Sequence, residues 1–389
     1  MTAEPRVGAL SRGREAITPA SSATGARFGA QCSANRADET SSPQIPAKTE
    51  RRPSPGTKLV LVSRPYLQLP SGLASGFTAG EARRYGVHTD RLAQADVTRI
   101  AHGLYMRSSA LVPNDYSAHP EQLWRERQFA AARAIATSLS PHLFFSGRTA
   151  AAIWGLPVRS SGSDDLEVST FFPRRAPRRT GLRGTQVRPE LVRVVAHRGL
   201  PVTDPASTWA SLAGRLALPD SVALGDAVIR RARIPGTSRL EYPPLATLAD
   251  LECVVCSGRR IGVARLRTAL PLLSPHSASP PETHLRLLLP EWRLPEPELD
   301  FDVYDDRGRL IGCSELAFPE FRLALEYESR DHMTNTRQWN RDLEKYHDYV
   351  SAGWEPFRVS AQALYRGRER LRRKLHMALL RRGWDGSLH

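Results

Sequence analysis

The 389-residue chain has few of the residues that several classes of protein need. Its four cysteines, Cys32, Cys253, Cys256 and Cys313, are too few for a disulfide framework in a chain of this length. No apolar run reaches the roughly 18–20 residues that cross a bilayer. The N-terminus is rich in Ser, Ala and Arg and lacks the apolar segment of a secretory signal. These absences predict a cytoplasmic protein with no membrane partner.

Negative charge is also in short supply. Lys and Arg together number 55 against 40 Asp and Glu, which gives a formal net charge of +15. An anionic partner is therefore expected, and nucleic acid is the commonest such partner. Arginine-rich compositions also arise in GC-rich genomes, so charge alone does not decide between a nucleic-acid-binding protein and others.

Residues 1–57 contain almost no large apolar residue and show no periodicity. This composition predicts a disordered tail. The tail could act as an arm that touches nucleic acid. The simpler interpretations are a linker-like tail or an extension from a start codon placed too early, because recognisable domain sequence begins near Val60.

A candidate site lies in the last quarter of the chain. Leu310–Phe318 and Phe321–Glu328 alternate as strands do and are separated by a proline turn. If the turn closes an antiparallel hairpin, Glu315 lies almost opposite Glu326, with Cβ atoms about 4.5–5.5 Å apart, and Glu328 shares their face. Such a cluster needs a cation, shared protons or basic neighbours. Carboxylate oxygens of this kind suit Mg²⁺ or Mn²⁺.

The elements around this hairpin are predicted in the order αβββαβα. The flanking elements are a helix Pro281–Leu289, a strand Leu299–Tyr304, a helix from about 336 to 352, a strand Trp354–Ser360 and a basic helix to about Gly383. Four short motifs lie on these elements: Ser279-Pro-Pro-Glu282-Thr-His-Leu-Arg286, Ser314-Glu315-Leu, Leu325-Glu326-Tyr-Glu328 and Gln338-Trp-Asn-Arg341-Asp342-Leu-Glu-Lys345. Their order resembles the core of the PD-(D/E)XK nuclease superfamily, and more narrowly the branch similar to very-short-patch-repair endonucleases.

The resemblance implies a fold, an activity and a set of site residues. The activity would be hydrolysis of DNA phosphodiester bonds by an endonuclease that depends on Mg²⁺ or Mn²⁺. The implied metal ligands are Glu282, Glu315 and Glu326, and the implied catalytic residues are Glu315, Glu326, Glu328, His332 and Lys345. His332 and Lys345 would supply positive charge or proton transfer, because Glu328 stands where many members have lysine.

Two substitutions depart from the family pattern. Glu315 replaces the usual Asp, and Glu326-Tyr-Glu328-Ser329 replaces Glu-x-Asp-Gly. Each keeps a carboxylate and lengthens its side chain by one methylene, and a misplacement near 1 Å can cost on the order of 10²-fold in rate. The alternative interpretation is therefore a nuclease fold that has lost its activity and serves for binding.

A second resemblance lies nearer the N-terminus. Thr78 and Glu81 form a capping-box pattern before a helix ending at Gly86, Asp90–Ala95 predicts a second helix, and Val97–Arg107 predicts a hairpin turning at His102-Gly103. This arrangement resembles the winged helix of abortive-infection type IV antitoxins, the AbiEi family. In that mode basic residues hold DNA phosphates, and the candidates are Arg83, Arg84, Arg91, Arg99 and Arg107. A winged helix used only for protein contacts is the alternative.

The middle of the chain continues the same resemblance. Ser146–Pro157 and Gly199–Leu212 are similar to conserved stretches of the antitoxin group, although Ser207 and Ser211 replace its usual Arg and Asp. The region has no nucleophile–base pair and is interpreted as a scaffold. A lone Cys253-x-x-Cys256 without two further well-spaced ligands does not indicate zinc.

The predicted fold class is α/β (α+β) with four segments. These are a tail (1–57), a winged-helix DNA-binding domain (58–112), an AbiEi-like α/β scaffold (113–273) and an αβββαβ restriction-endonuclease-like domain (274–389). Further DNA-binding candidates are Arg341, Arg372 and Arg373, on helices of the last domain. The alternative to a DNA endonuclease is an antitoxin-like transcriptional regulator with an inactive nuclease fold and a possible toxin partner. Cleavage of RNA also stays open.

Overall fold

The computed structural model describes residues 68–111, 119–328 and 336–387, with only the helical backbone described for 336–343. These residues form a mixed α/β fold whose strands are arranged in three sheets, and all belong to one compact unit, Arg64–His389. The predicted tail and His332 lie outside the described residues. Within the described ranges, no helix combines the length and the apolar character needed to cross a membrane.

The first sheet is small and contains the predicted wing. Its elements are β1 (Gly76–Thr78), α1 (Ala79–Arg84), β2 (Val97–Ala101) and β3 (Leu104–Arg107), with strand order β1-β3-β2. The predicted capping box is confirmed, because Thr78 Oγ1 accepts from the Glu81 N–H at 3.0 Å and Glu81 Oε2 accepts from the Thr78 N–H at 2.7 Å. The predicted hairpin turn also forms, with Gly103 at φ 68°.

The predicted second helix is wrong in type and extent. A 3₁₀ helix spans Thr89–Ala93, and the chain is extended again at Gln94. Arg91 is buried at its centre and donates two hydrogen bonds to Asp96, at 2.7 and 2.6 Å. This bidentate ion pair holds the segment in a single short turn. The segment therefore does not continue as an α-helix.

The wing packs closely on the central sheet. The His102 N–H donates to the Thr180 carbonyl at 2.9 Å. Gly181 has φ 84°, and a Cβ there would lie 2.1 Å from the Ile100 carbonyl oxygen, so only glycine fits. Leu104 and Met106 of the wing share a buried core with residues of the central sheet and its helices. Wing and central sheet therefore form one continuous core.

The central sheet has six strands in the order β6-β7-β5-β4-β9-β8. The strands are β4 (Phe144–Phe145), β5 (Leu166–Phe171), β6 (Arg178–Arg179), β7 (Leu182–Val187), β8 (Val194–His197) and β9 (Leu200–Thr203). The accompanying helices are α2 (Pro120–Ile135), α3 (Gly147–Ile153), α4 (Pro205–Leu212), α5 (Leu218–Ile229), α6 (Leu248–Cys256) and α7 (Val263–Ala269). Residues 174–183 contain β6 and the start of β7, which pair as a short ribbon.

The C-terminal elements follow the predicted order of helices and strands. They are α8 (Pro280–Glu291), β10 (Glu298–Tyr304), β11 (Leu310–Phe318), β12 (Leu323–Glu328), α9 (Thr336–Ser351), β13 (Glu355–Ser360), α10 (Ala361–Arg366) and α11 (Arg368–Arg381). The strands form a four-stranded sheet in chain order, with β10, β11 and β12 antiparallel and β12 parallel to β13. Helix α9 supplies the crossover that a parallel pair requires.

The two faces of this sheet pack against different helices. Leu316, Leu325 and Val359 lie in a core with residues of α8, α10 and α11. On the opposite face, Ala324 packs with Tyr349 of α9. Side chains alternate between faces along each strand, so Glu315 and Glu326 point toward the α9 side.

A buried carboxylate ties α8 to the helices before it. Asp226 on α5 accepts from the Ser274 N–H and the Thr283 hydroxyl, both at 2.7 Å, and from Arg286 Nη2 at 2.9 Å. Burial raises the pKa of Asp226, although Arg286 and the other donors work against this effect. The Arg286 of the predicted Ser-x-x-Glu-x-x-x-Arg motif therefore anchors α8, and with it the position of Glu282.

Candidate active site

Glu315 and Glu326 lie on neighbouring strands as the hairpin pattern predicts. The antiparallel register pairs Leu316 with Leu325, and Glu315 and Glu326 are the next residues beyond this last pair. The Tyr327 N–H donates to Glu315 Oε2 at 2.7 Å, which fixes one carboxylate oxygen against β12. The 3₁₀ turn Pro319–Phe321 sets this register, with Arg322 in the left-handed region at φ 46°.

Glu282 reaches the same cluster from the first turn of α8. Glu282 is only 5% exposed. Glu282 Oε2 accepts from the Ala278 N–H at 2.7 Å, while Ser279 caps the helix by accepting from the Glu282 N–H. The carboxylate is thus held by the backbone that enters α8 and is close enough to Glu326 to interact with it electrostatically.

Two of these carboxylates, Glu282 and Glu315, are hard to ionise. Burial raises the pKa of Glu315 to about 9, with the charges of Glu282 and Glu326 adding to the effect. Burial also raises the pKa of Glu282, and Glu326 contributes in the same direction. Low polarity and like charge both disfavour the anion. The cluster therefore binds protons or a cation at neutral pH.

Lys345 supplies a cation at this cluster. It extends from α9, and its Nζ donates to Glu326 Oε1 and to the Cys313 carbonyl oxygen, each at 2.9 Å. The ammonium also lies 5.2 Å from the centre of the Tyr349 ring. The ammonium thus lies beside Glu326, and its part in catalysis stays a prediction.

Glu328 has a different partner. It forms an ion pair with Arg358 on β13, and the Arg358 guanidinium lies 5.0 Å from the centre of the Tyr346 ring. The structure thus brings together Glu282, Glu315, Glu326 and Lys345, while Glu328 pairs with the edge strand. His332 falls outside the described residues.

The carboxylates are of the type that binds Mg²⁺, but they are too few to hold a metal ion with protein ligands alone. Among the described residues, no three or more His, Cys, Asp or Glu side chains are grouped so as to hold a metal ion. Mg²⁺ needs fewer protein ligands, because it usually keeps several waters and binds one or two carboxylates plus substrate phosphates. Glu315 and Glu326 fit that requirement as a pair of hard oxygen ligands on adjacent strands.

The candidate DNA-binding arginines near the N-terminus fall into two groups. Arg91 pairs with Asp96, and Arg107 Nη2 donates to the Pro70 and Leu73 carbonyls at 2.7 and 3.2 Å, so both guanidinium groups serve contacts within the fold. The other three candidates, Arg83, Arg84 and Arg99, are exposed.

The DNA-binding candidates in the C-terminal part of the chain also differ in their surroundings. Arg372 hydrogen-bonds Glu369 on its own helix, whereas Arg373 lines a groove beside β13. Arg341 lies on α9, and its side chain is outside the described part. Sequence reasoning missed the other cations of that groove, Arg370, Lys374 and Arg381, although their helical spacing from Arg373 would have placed them on one face.

Comparison with known proteins finds partial similarity. No family model matches the chain. Over 157 residues the chain is 28% identical to the uncharacterized protein Rv2248 of Mycobacterium tuberculosis strain ATCC 25618 / H37Rv, and equally to the uncharacterized protein MT2308 of strain CDC 1551 / Oshkosh. The match covers 40% of this chain and 53% of each relative. The chain thus spans about half the length of the curated relatives that it matches.

Proposed function

We propose that this protein binds DNA and that its C-terminal sheet hydrolyses phosphodiester bonds with the help of a divalent metal ion. The observation that carries the proposal is the contact of Lys345 with Glu326. An ammonium from a separate helix meets the buried carboxylate of Glu326, on the strand next to that of Glu315. Metal-assisted hydrolysis needs ligands that hold the ion and groups that stabilise the charge developing on the phosphate, and these side chains can supply both.

Each residue has a definable part in this chemistry. Glu315 and Glu326 would hold Mg²⁺ or Mn²⁺, which when bound polarises the scissile phosphate and lowers the pKa of a coordinated water. The Tyr327 N–H orients the Glu315 carboxylate. Lys345 orients Glu326 and places positive charge where a phosphate would gain negative charge. Glu282 adds negative charge behind them and strengthens the demand for a cation.

The DNA part of the proposal is supported by charge. The chain has a formal net charge of +15, and Arg83, Arg84 and Arg99 present exposed guanidinium groups on and beside the wing. Such groups would contact phosphates without reading sequence. The wing turn itself is bonded to the central sheet, so these arginines belong to a fixed surface.

A cleavage assay with the Glu326→Gln variant tests the proposal. Full-length protein is incubated with plasmid and with single-stranded DNA, in Mg²⁺ or Mn²⁺ and in EDTA. Metal-dependent nicking by the wild type, lost in Glu326→Gln and kept in Glu320→Gln, is the expected result. Glu320 is a suitable control because it is exposed in the turn of the same hairpin. Cleavage that persists in EDTA or in Glu326→Gln would refute the assigned site.

The second candidate function is an antitoxin-like transcriptional regulator whose nuclease fold is silent and which pairs with a toxin. One observation favours it: the Lys345 ammonium already pairs with Glu326, one of the two carboxylates that would otherwise bind the metal. This candidate predicts salt-dependent DNA retardation and no cleavage under any metal condition by well-folded protein. The protein would then bind a cognate operator sequence without cleaving it.

A further inference from the structure

A groove lies between the last strand of the C-terminal sheet and the last helix. We call it the α11 groove. It has a volume of about 450 Å³ and is lined by Phe357, Arg370, Arg373, Lys374, Met377 and Arg381. Phe357 belongs to β13, and the other five residues share one face of α11.

The groove carries an excess of positive charge. Arg381 donates to Glu355 at 3.0 Å. The other three cations, Arg370, Arg373 and Lys374, form no ion pair with any side chain in the described ranges, although Arg373 lies near enough to Glu369 to lower the pKa of that carboxyl slightly. Four cations with one paired carboxylate predict an anionic occupant.

The spacing along α11 suits an extended polyanion. From Arg370 to Arg381 the helix rises about 16 Å at 1.5 Å per residue, so the cations can follow consecutive phosphates of one strand. Met377 interrupts the row of cations and is 52% exposed, and Phe357 forms a half-buried floor beside it. An apolar patch within a row of cations fits the face of an unstacked base, which the outside of a duplex does not present.

The groove is separate from the carboxylate cluster. Phe357 is paired in register with Leu325, which packs in the core on the α11 side of the sheet. Glu326, the next residue, faces α9 and Lys345. A strand in the α11 groove would therefore contact the side of the sheet opposite the candidate active site.

We propose that the α11 groove binds a single nucleic-acid strand, with phosphates on Arg370, Arg373, Lys374 and Arg381 and a base against Met377 and Phe357. This inference rests on the DNA-binding part of the proposed function and not on hydrolysis. It assigns the C-terminal helix a role in holding one separated strand, and it explains why a helix with so many cations leaves a methionine exposed.

The test measures binding of the full chain to a fluorescent oligothymidylate in EDTA. The groove variant is Arg373→Gln/Lys374→Gln. The control, Arg307→Gln/Arg366→Gln, removes the same charge from exposed positions outside the groove. We expect the groove variant to weaken binding about tenfold and to reduce the slope of log K against log salt by about 1.4, while the control changes both much less. Equal effects of the two variants would overturn the proposal.

Two further measurements distinguish a single nucleic-acid strand from a duplex and from an acidic protein partner. Met377→Glu should weaken binding to single-stranded DNA more than to a duplex of equal length, and an equal loss on both would exclude the base contact. An acidic peptide that competes away the oligothymidylate more strongly than a second oligothymidylate does would identify a protein partner instead. Because all measurements are made in EDTA, failed cleavage by the wild type would leave this result unaffected, and lost groove binding would leave the cleavage assay unaffected.

Discussion

Replacing Glu315 by Gln should change how the stability of the metal-free protein depends on pH. The pKa of Glu315 rises from its ordinary value of 4.5 to about 9 in the fold. The folded state thus holds a proton that the unfolded chain releases above about pH 4.5. The free energy of unfolding therefore falls as pH increases between these two pKa values, and stability is greatest at the acid end.

The size of the effect follows from the same numbers. Each pH unit corresponds to about 1.4 kcal/mol, which sets a limit of about 6 kcal/mol across the whole interval. Because Glu315 titrates together with its charged neighbours Glu282, Glu326 and Lys345, this limit belongs to the cluster and the effect of Glu315 alone is smaller. Gln cannot ionise and can still accept from the Tyr327 N–H. Between pH 5 and pH 9 the free energy of unfolding of the Glu315→Gln variant should therefore rise relative to that of the wild type, by less than the limit of about 6 kcal/mol.

Urea denaturation followed by circular dichroism at pH 5, 7 and 9, in EDTA, measures this difference. Glu320→Gln is the matched control, because its exposed carboxylate sits in the turn of the same hairpin and should leave the pH profile unchanged. Adding Mg²⁺ at pH 9 should stabilise the wild type but not Glu315→Gln. Parallel pH profiles for the wild type and Glu315→Gln would refute the claim that this carboxyl is protonated in the fold.

Two further substitutions test contacts that hold the fold. Lys345→Met removes the ammonium 2.9 Å from Glu326 and should lower the free energy of unfolding at pH 7 by about 2–4 kcal/mol; a loss below about 1 kcal/mol in urea denaturation would contradict a tight pair. Gly181→Ala places a Cβ 2.1 Å from a wing carbonyl oxygen, whereas Gly199→Ala, also at positive φ, meets nothing within 4 Å. Thermal denaturation should therefore show a loss of about 1 kcal/mol at Gly199 and at least about 3 kcal/mol at Gly181, and similar losses would argue against the wing contact.

Local chemistry made much of the fold predictable. The capping box and the wing turn form where their residues indicate. Proline and left-handed residues mark turns within a few positions, so the hairpin register that aligns Glu315 with Glu326 could be read from the sequence. These features depend on neighbours within about a dozen residues.

Contacts between segments that are distant in the chain could not be predicted from local sequence. Arg91 was interpreted as a phosphate contact, but its guanidinium is buried against Asp96. The fit of Gly181 under the wing and the bond of Arg286 to Asp226 join residues about 60 or more positions apart. Neither pairing leaves a periodic or local signal in the sequence, because the partners meet only after both have been placed by their own elements.

Lys345 shows where the two kinds of reasoning meet. The sequence indicates a lysine on one face of a helix after the carboxylate hairpin, and the parallel pairing of β12 with β13 requires that helix to cross the sheet. Once α9 crosses on the side of Glu326, the ammonium has a buried carboxylate within reach. The same contact serves both candidate functions, since it can orient a metal ligand or replace the metal. The two candidate functions predict different responses to Mg²⁺. A metal-binding site becomes more stable when the ion and Lys345 share the carboxylates, whereas a site already neutralised by the lysine does not.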